Sequence, residues 1–262
     1  MNEKNFAYLR DQVKYTGFGE GLESQLREKM QQGGASFELF HNVSYGKDQM
    51  ATVLEFRKSS QQDMYFFNRY LAALKPERAA DSTEQTFYIN KGNNITLKEA
   101  YNLLSGRAVN KDLTNKEGEL YNAWLQLDFK QTDDRQNYLV KQFHHNYGYD
   151  LELALGKHPV KELKDAQEKS LLLESLRKGN RQAVTFELGE GREARYFVEA
   201  SPRYKSVNVY DEHMQRVRPA LSQQQAQTAG QEPQKTSQLA AWKENREEVR
   251  QKPPRKGRSI GS

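Results

Sequence analysis

The chain has 262 residues, of which 36% are hydrophobic and 29% are charged, and it contains no cysteine. This length suffices for one large domain or for two or three small ones, while the lack of cysteine excludes disulfides, thiolate nucleophiles and cysteine-based zinc sites. The sequence has no run of about 18 apolar residues and begins without the basic-then-apolar pattern of a signal peptide, so we expect a cytoplasmic protein with no membrane association.

The net charge of +5 is concentrated at the C-terminal end. Residues 219–262 hold 8 of the 40 Lys and Arg and 4 of the 35 Asp and Glu, which leaves 32 basic and 31 acidic residues in 1–218. An interaction with nucleic acid must therefore rest on the terminal segment or on a local patch, and not on the overall charge of the body.

Three segments of similar pattern recur along the chain. Each has a helical pattern that ends near a glycine, at Gly33, Gly106 and Gly179, and these glycines are 73 residues apart. Each glycine is followed by three strand-like runs, with a glycine-bearing turn between the first two. We therefore predict an α+β fold of three αβββ units with antiparallel meander sheets, at residues 1–75, 76–147 and 148–218, followed by a disordered basic tail at 219–262.

The first unit begins with two predicted helices. One covers Asn5–Lys14, and the face of the next is marked by Leu22, Leu26 and Met30. Its three strands are predicted at Ser36–Tyr45, Gln49–Arg57 and Met64–Tyr70. The polar connector that follows, Lys75–Asn94, contains a short strand candidate at Phe87–Ile89.

The second unit begins with a capping box, in which Thr96 and Glu99 start a helix that runs through Leu104. Its strands lie between Arg107 and Asn146. In the middle strand the apolar side chains alternate with polar ones, as Leu125, Leu127 and Phe129 against Gln126, Asp128 and Lys130. This alternation predicts one buried and one solvated face, and we expect Trp124 to belong to the core.

The third unit begins with two helices, predicted near Asp150–Gly156 and Asp165–Lys178, and its last strands are predicted at Ala194–Glu199 and Lys205–Tyr210. Beyond residue 218, the segment Ser222–Gln234 is too poor in apolar residues to fold alone. Ser237 favours a capped helix over 237–250.

Basic residues close to the C-terminus give the clearest chemical signal in the sequence. They are Arg250, Lys252, Arg255, Lys256 and Arg258. Such side chains neutralise phosphates and release counterions, which gives a salt-sensitive affinity for nucleic acid without sequence preference. The alternative is a solubilising tail, because basic runs are common and weakly specific.

The third strands of the first two units mix aromatic, basic and amide side chains. These are Tyr65, Asn68 and Arg69 in the first unit and Tyr138, Lys141 and Gln142 in the second. Sheet faces of this composition stack bases in proteins that bind single strands. The alternative, which we favour, places the tyrosines in the core, because strands are rich in aromatic residues whatever their function.

No motif in the sequence indicates a reaction. Gly17, Gly19 and Gly21 have the wrong spacing for a phosphate-binding loop and follow no apolar strand. His144 and His145 are adjacent on a predicted strand and point to opposite faces, so they do not share a metal ion. We predict no catalytic residue, no cofactor and no metal site, although scattered residues that converge in space leave a cryptic enzyme as a third hypothesis.

Several short stretches carry a family resemblance: Tyr15–Glu20, Asp63–Asn68, Gly106–Lys111, Asn146–Asp150 and Val207–Asp211. Together with the basic segment Arg255–Arg258, they resemble the uncharacterised repeated-domain proteins carried by conjugative transposons of Bacteroidetes. The resemblance covers residues 14–218 and transfers no catalytic residue. It implies a cytoplasmic accessory protein of a mobile element that works near DNA-processing enzymes.

Two functional hypotheses follow. The first is a non-enzymatic accessory protein that binds nucleic acid, or a nucleoprotein complex, through its basic tail and its sheet faces. The second is a scaffold that docks a protein partner such as a relaxase or a topoisomerase, which the near-neutral charge of residues 1–218 favours.

Overall fold

The computed structural model describes residues 1–90 and 93–217 and confirms the α+β fold class, with three antiparallel sheets of four, three and four strands. The predicted helix at 237–250 and the five basic residues of the tail lie outside the described residues.

The first sheet has the strand order β1-β2-β3-β4. It follows α1 (Glu3–Val13), a π-helical turn (Lys14–Phe18) and α2 (Glu23–Gln32), and its strands are β1 (Ser36–Tyr45), β2 (Asp48–Lys58), β3 (Tyr65–Lys75) and β4 (Thr83–Tyr88). The prediction of three strands is wrong here, because the connector folds back as β4, which overlaps the strand candidate at Phe87–Ile89 and begins four residues before it. The sequence hides the first part of this strand, since one of its two buried residues, Gln85, is polar.

The second sheet has the order β5-β6-β7 and the third has β8-β9-β10-β11. The helix α3 (Leu97–Leu104) precedes β5 (Val109–Thr114), β6 (Leu120–Thr132) and β7 (Tyr138–His144). Two helices, α4 (Leu151–Leu155) and α5 (Ala166–Arg177), precede β8 (Gln182–Glu187), β9 (Glu193–Ser201), β10 (Ser206–Tyr210) and the two-residue β11 (Arg216–Val217). All neighbouring strands pair antiparallel, as the meander prediction requires.

Backbone geometry confirms the local signals that start and end the helices. Thr96 and Glu99 form the predicted capping box at the start of α3. Gly33, Gly106 and Gly179 have φ values of 75°, 80° and 81°. Glycine adopts this left-handed region without the steric penalty of a β-carbon.

Two apolar cores hold the described residues together, and the second sheet contributes to both. Ala123, Leu125 and Leu127 belong to the core that α1, α2, α3 and the first sheet build. Trp124 and Phe143 belong to the core of α4, α5 and the third sheet. Each core therefore contains residues from two of the predicted units. The first core crosses the predicted boundary between residues 75 and 76, and the second crosses the boundary between residues 147 and 148.

This sharing overturns the prediction that β6 has one buried and one solvated face. Trp124 lies on the face of β6 opposite Leu125. It is nevertheless buried as expected, at 7% exposure, because the C-terminal core covers that face. Beyond Leu127 the burial is the reverse of the predicted pattern, since the polar Asp128 is buried and the apolar Phe129 is exposed. The pairing of β6 with β7 is irregular between Asp128 and Thr132, which interrupts the alternation of side chains.

No helix among the described residues is long and apolar enough to cross a membrane.

Candidate functional site: a cleft of arginine and aromatic side chains

A cleft of about 1050 Å³ opens between α1 and the ends of β2, β3 and β4. Four aromatic rings with exposed surface line it: Tyr8, Tyr15, Phe66 and Tyr88. The charged side chains of the lining are Arg57, Arg69, Arg135, Asp11 and Glu55. Most of the remaining lining consists of amides, which are Gln12, Asn68, Asn90 and Asn94.

The position of α1 depends on a buried side-chain amide. The Asn5 Nδ2 donates to the Tyr65 carbonyl at 3.0 Å, and the Tyr65 N–H donates to the Asn5 Oδ1 at 2.7 Å. The side chain thus occupies the place of a neighbouring strand at the start of β3. This attachment leaves Tyr8 of α1, and Tyr15 of the π-helical turn after it, over the end of the sheet, and these rings are 61% and 76% exposed.

A β-bulge shapes the wall that β3 contributes. Arg57 pairs with Phe66 and Glu55 pairs with Arg69, so Asn68 has no residue opposite it on β2. A bulge of this kind changes the direction of the side chains beside it. The carbonyl of Asn68 accepts the N–H of Ile89 at 2.9 Å, which ties the end of β4, and with it Tyr88, to the bulge.

The last wall is the turn between β6 and β7. The Asp133 carboxylate accepts the backbone N–H groups of Arg135 and Asn137, both at 2.9 Å. The Asn137 Oδ1 in turn accepts the N–H of Thr86 in β4 at 2.9 Å. These bonds bring Arg135 to the cleft, where its Nη1 donates to the Tyr88 hydroxyl at 2.7 Å.

Positive charge in the cleft is partly neutralised. The Arg69 Nε donates to Glu55 at 2.8 Å, and this bond raises the pKa of the guanidinium. Arg57 forms no ion pair with any described residue. The hydrogen bond from Arg135, with a smaller effect of Arg69, lowers the pKa of the Tyr88 hydroxyl. Arg57 and Arg135 are therefore the guanidinium groups of the cleft without a carboxylate partner among the described residues.

Asn94 adds an acceptor to the cleft. Its Oδ1 is buried and has no hydrogen-bond partner among the residues that the structure describes. A buried acceptor without a partner is destabilising by about 1–3 kcal/mol. A ligand that donates an N–H or O–H group to this oxygen would remove that cost.

The two tyrosines among the four strand residues predicted to contact nucleic acid differ in burial. Tyr65 is 3% exposed, and its hydroxyl donates to the Gly34 carbonyl at 2.6 Å. Tyr138 is half-buried against Phe129, with ring centroids 4.8 Å apart. Tyr65 therefore belongs to the core, whereas Tyr138 is only partly buried against it.

The two basic members of that set also have different surroundings. Arg69 lines the cleft, whereas Lys141 lies outside it and pairs with the buried Asp128 at 2.5 Å. This pair lowers the pKa of the Asp128 carboxyl. Of the strand residues singled out in the sequence, the structure thus brings Asn68 and Arg69 into the cleft.

Sequence reasoning missed most of the cleft. A signal for one wall was present, because Tyr8, Asp11, Gln12 and Tyr15 have the i, i+3, i+4, i+7 spacing of a single helix face, and that face contains no aliphatic residue. The remaining lining residues come from β2, β3, β4, the segment that follows β4 and a distant turn. No periodicity in the sequence relates them.

Within residues 1–90 and 93–217, no group of three or more His, Asp or Glu side chains could hold a metal ion. Comparison of the chain with protein-family models, with curated proteins and with solved structures finds no match.

Proposed function

We propose that this chain is a non-enzymatic accessory protein of a mobile element that binds single-stranded nucleic acid in the arginine and aromatic cleft, with its basic tail as a second contact. The observation that carries the proposal is the cleft composition: four rings with exposed surface beside Arg57 and Arg135. The connection with a mobile element rests on the resemblance described above.

Physical reasoning links this composition to unpaired bases. Stacking of a base on an aromatic side chain contributes about 1–3 kcal/mol and tolerates any base, because every base has a flat π-face. Guanidinium groups bind phosphates and also stack on bases. The amides, together with the free Oδ1 of Asn94, match the donors and acceptors on the edges of unpaired bases.

The test is a fluorescence-anisotropy titration with labelled single-stranded and double-stranded DNA and RNA. Full-length chain is compared with a chain that ends at residue 218, at about 50 and 200 mM salt, where phosphate contacts cause a steep loss of affinity. We expect preference for single strands in both chains. Tyr15→Ala should weaken binding roughly 5- to 150-fold, which corresponds to the stacking energy.

Matched controls separate the cleft from general surface effects. Tyr204→Ala removes a ring that is 65% exposed and lies outside the cleft, and it should not change the affinity. Arg57→Ala should reduce the salt dependence by about one phosphate contact, whereas Arg192→Ala, at an exposed site outside the cleft, should not. Equal effects of the cleft variants and their controls, or no binding by either chain, would reject the proposal.

A second candidate function is the scaffold that docks a DNA-processing protein. A crevice of about 390 Å³ between β4 and β7 favours it, because its apolar lining includes Leu103, Leu113 and Leu125, with the exposed Leu139 and Val140 beside them. Exposed apolar groups beside such a crevice are typical of protein docking sites. The test is a pull-down with the natural chain. Recovery of one protein partner in stoichiometric amount, unchanged by nuclease treatment and lost in Val140→Lys, would favour this function over the first.

A further inference from the structure

Strand β1 forms an open edge of the first sheet. Among the described residues its one neighbour is β2, and the Lys58 N–H donates to the Ala35 carbonyl directly opposite it at 2.9 Å. In an antiparallel ladder such bonded pairs alternate with unbonded ones. The backbone groups of every second residue therefore point away from β2, and these residues are Ser36, Glu38, Phe40, Asn42 and Ser44.

Apart from the charge of Glu38, the described part of this edge lacks the features that normally prevent strand addition. All five outward residues are exposed, and β1 contains no proline and no lysine. Proteins commonly protect their edge strands with lysine, proline, bulges or a covering segment. No described residue outside β2 forms a backbone hydrogen bond with this strand. Five of its ten residues thus offer a regular row of backbone donors and acceptors that have no partner among the described residues.

An apolar stripe on the sheet face begins at this edge. Phe40 is 64% exposed and lies opposite Val53, which in turn lies opposite Leu71 in β3. Val53 and Leu71 are half-buried, and neither belongs to the core that the described helices build with this sheet. Added apolar surface next to Phe40 would extend the stripe across the edge.

The outward residues of one copy match those of a second copy when the two β1 strands run antiparallel. With Phe40 opposite its own copy, Glu38 lies opposite Asn42 and Ser36 lies opposite Ser44. The two carboxylates of Glu38 are then four residues, or about 13 Å, apart along the strands. A shift that places Glu38 opposite its own copy brings like charges together, which is destabilising.

We propose that two copies of this chain pair through β1, antiparallel and with Phe40 on the two-fold axis, so that the two first sheets join into one. Such an interface is isologous and closes at two subunits. A groove of about 580 Å³ lies beside the Ser36–Phe40 half of the edge, next to Lys29 and Gln32 of α2. In this register it receives the Asn42–Tyr45 half of the other copy.

Cysteine cross-linking tests the register directly, because the natural chain has no cysteine. Directly opposite residues that exchange backbone hydrogen bonds have Cα atoms about 5.5 Å apart, within the range of about 4.4–6.8 Å that a disulfide spans. Full-length Phe40→Cys should form a covalent dimer under mild oxidation. Ser44→Cys should not, since its two copies are eight residues, or about 27 Å, apart. The double variant Ser36→Cys with Ser44→Cys should cross-link again.

Mass measurement tests the interface without new covalent bonds. Sedimentation at about 100 µM, where interfaces of micromolar affinity are occupied, should give twice the chain mass of 30.4 kDa. Phe40→Lys, which opposes two like charges, and Asn42→Pro, which removes one outward N–H, should both restore the single-chain mass. Leu171→Lys, at a site of α5 that is 60% exposed, should remain dimeric.

Three results would overturn the proposal. One is a single-chain mass for the natural protein at this concentration, which would leave the edge to a strand of another protein. Another is a dimer that persists in both Phe40→Lys and Asn42→Pro. The last is cross-linking of Ser44→Cys as efficient as that of Phe40→Cys. Unchanged melting temperatures of the variants ensure that loss of the dimer does not reflect unfolding.

Discussion

Arg107 donates its Nε to the Gly179 carbonyl at 3.0 Å and so joins the end of α3 to the end of α5 across 72 residues of sequence. Asn102, fully buried, completes the junction by accepting from the Arg107 Nη2 at 2.7 Å and donating to the Lys178 carbonyl at 2.7 Å. The helix ends of two repeats thus meet in one buried polar network, and each helix supplies hydrogen-bond partners to the other.

Gly179→Ala should be strongly destabilising because two effects add at this site. A β-carbon there would lie 2.8 Å from the Ala108 carbonyl oxygen, and φ is +81°. We expect a loss of about 2–5 kcal/mol, of which the left-handed backbone accounts for about 1–2 and overpacking for the rest. Gly189→Ala is the control, since φ is +86° but no atom lies within 4 Å, and it should lose only the backbone part. Urea unfolding measures both, and equal losses would contradict the close packing.

Asn5→Ala should destabilise the attachment of α1. It leaves the N–H and the carbonyl of Tyr65 without partners in a buried site, and each unsatisfied group costs about 1–3 kcal/mol. We expect a lower free energy of unfolding and faster hydrogen exchange at the Tyr65 amide. Gln32→Ala, which removes an exposed amide from α2, should change stability by less than about 0.5 kcal/mol. Normal protection of Tyr65 in Asn5→Ala would show that the attachment is not needed.

Lys141→Met should affect stability and not nucleic-acid binding. Lys141 is the partner of the buried Asp128, so its loss leaves that carboxylate unpaired and lowers the melting temperature. The variant should bind single strands like the natural chain, because Lys141 lies outside the cleft. Lys47→Met removes a solvent-exposed pair with Glu77 and should leave the melting temperature unchanged. Weaker binding by Lys141→Met would extend the binding site onto β7.

Stability should decrease as the pH falls below the ordinary histidine pKa of about 6.5. Burial lowers the pKa of both His41 and His158, so over this window the unfolded chain binds protons that the folded chain does not. The stabilising contribution is complete above the unfolded pKa and is lost as the pH falls through the folded one. His158→Phe keeps a ring on Phe186, whose centroid is 5.9 Å from that of His158, and should flatten the decrease between about pH 7 and 5. Identical pH profiles of unfolding in urea would disprove this role.

Local signals in the sequence determined much of the fold. The glycines at 33, 106 and 179 end their helices in the left-handed region, and Thr96 with Glu99 starts α3, because these features depend on residues a few positions apart. The same holds for the hairpin of β1 and β2, which agrees with the predicted strands within two residues. Only the end of β4 follows from the sequence, as the candidate at Phe87–Ile89, because the buried Gln85 bonds the distant backbone of Tyr138 and no local pattern records that contact.

Tertiary structure decided which surfaces are free. Alternation along β6 predicted a solvated face, but the C-terminal core covers Trp124 on that face, and only the packing of α4 and α5 determines this. Likewise, Tyr65 and Arg69 are four residues apart in one strand, yet one is buried and the other lines the cleft, because a bulge lies between them. The cleft itself joins α1, three strands and the turn at Arg135. A sequence encodes short-range periodicity directly, whereas the meeting of distant segments depends on packing that no local pattern records.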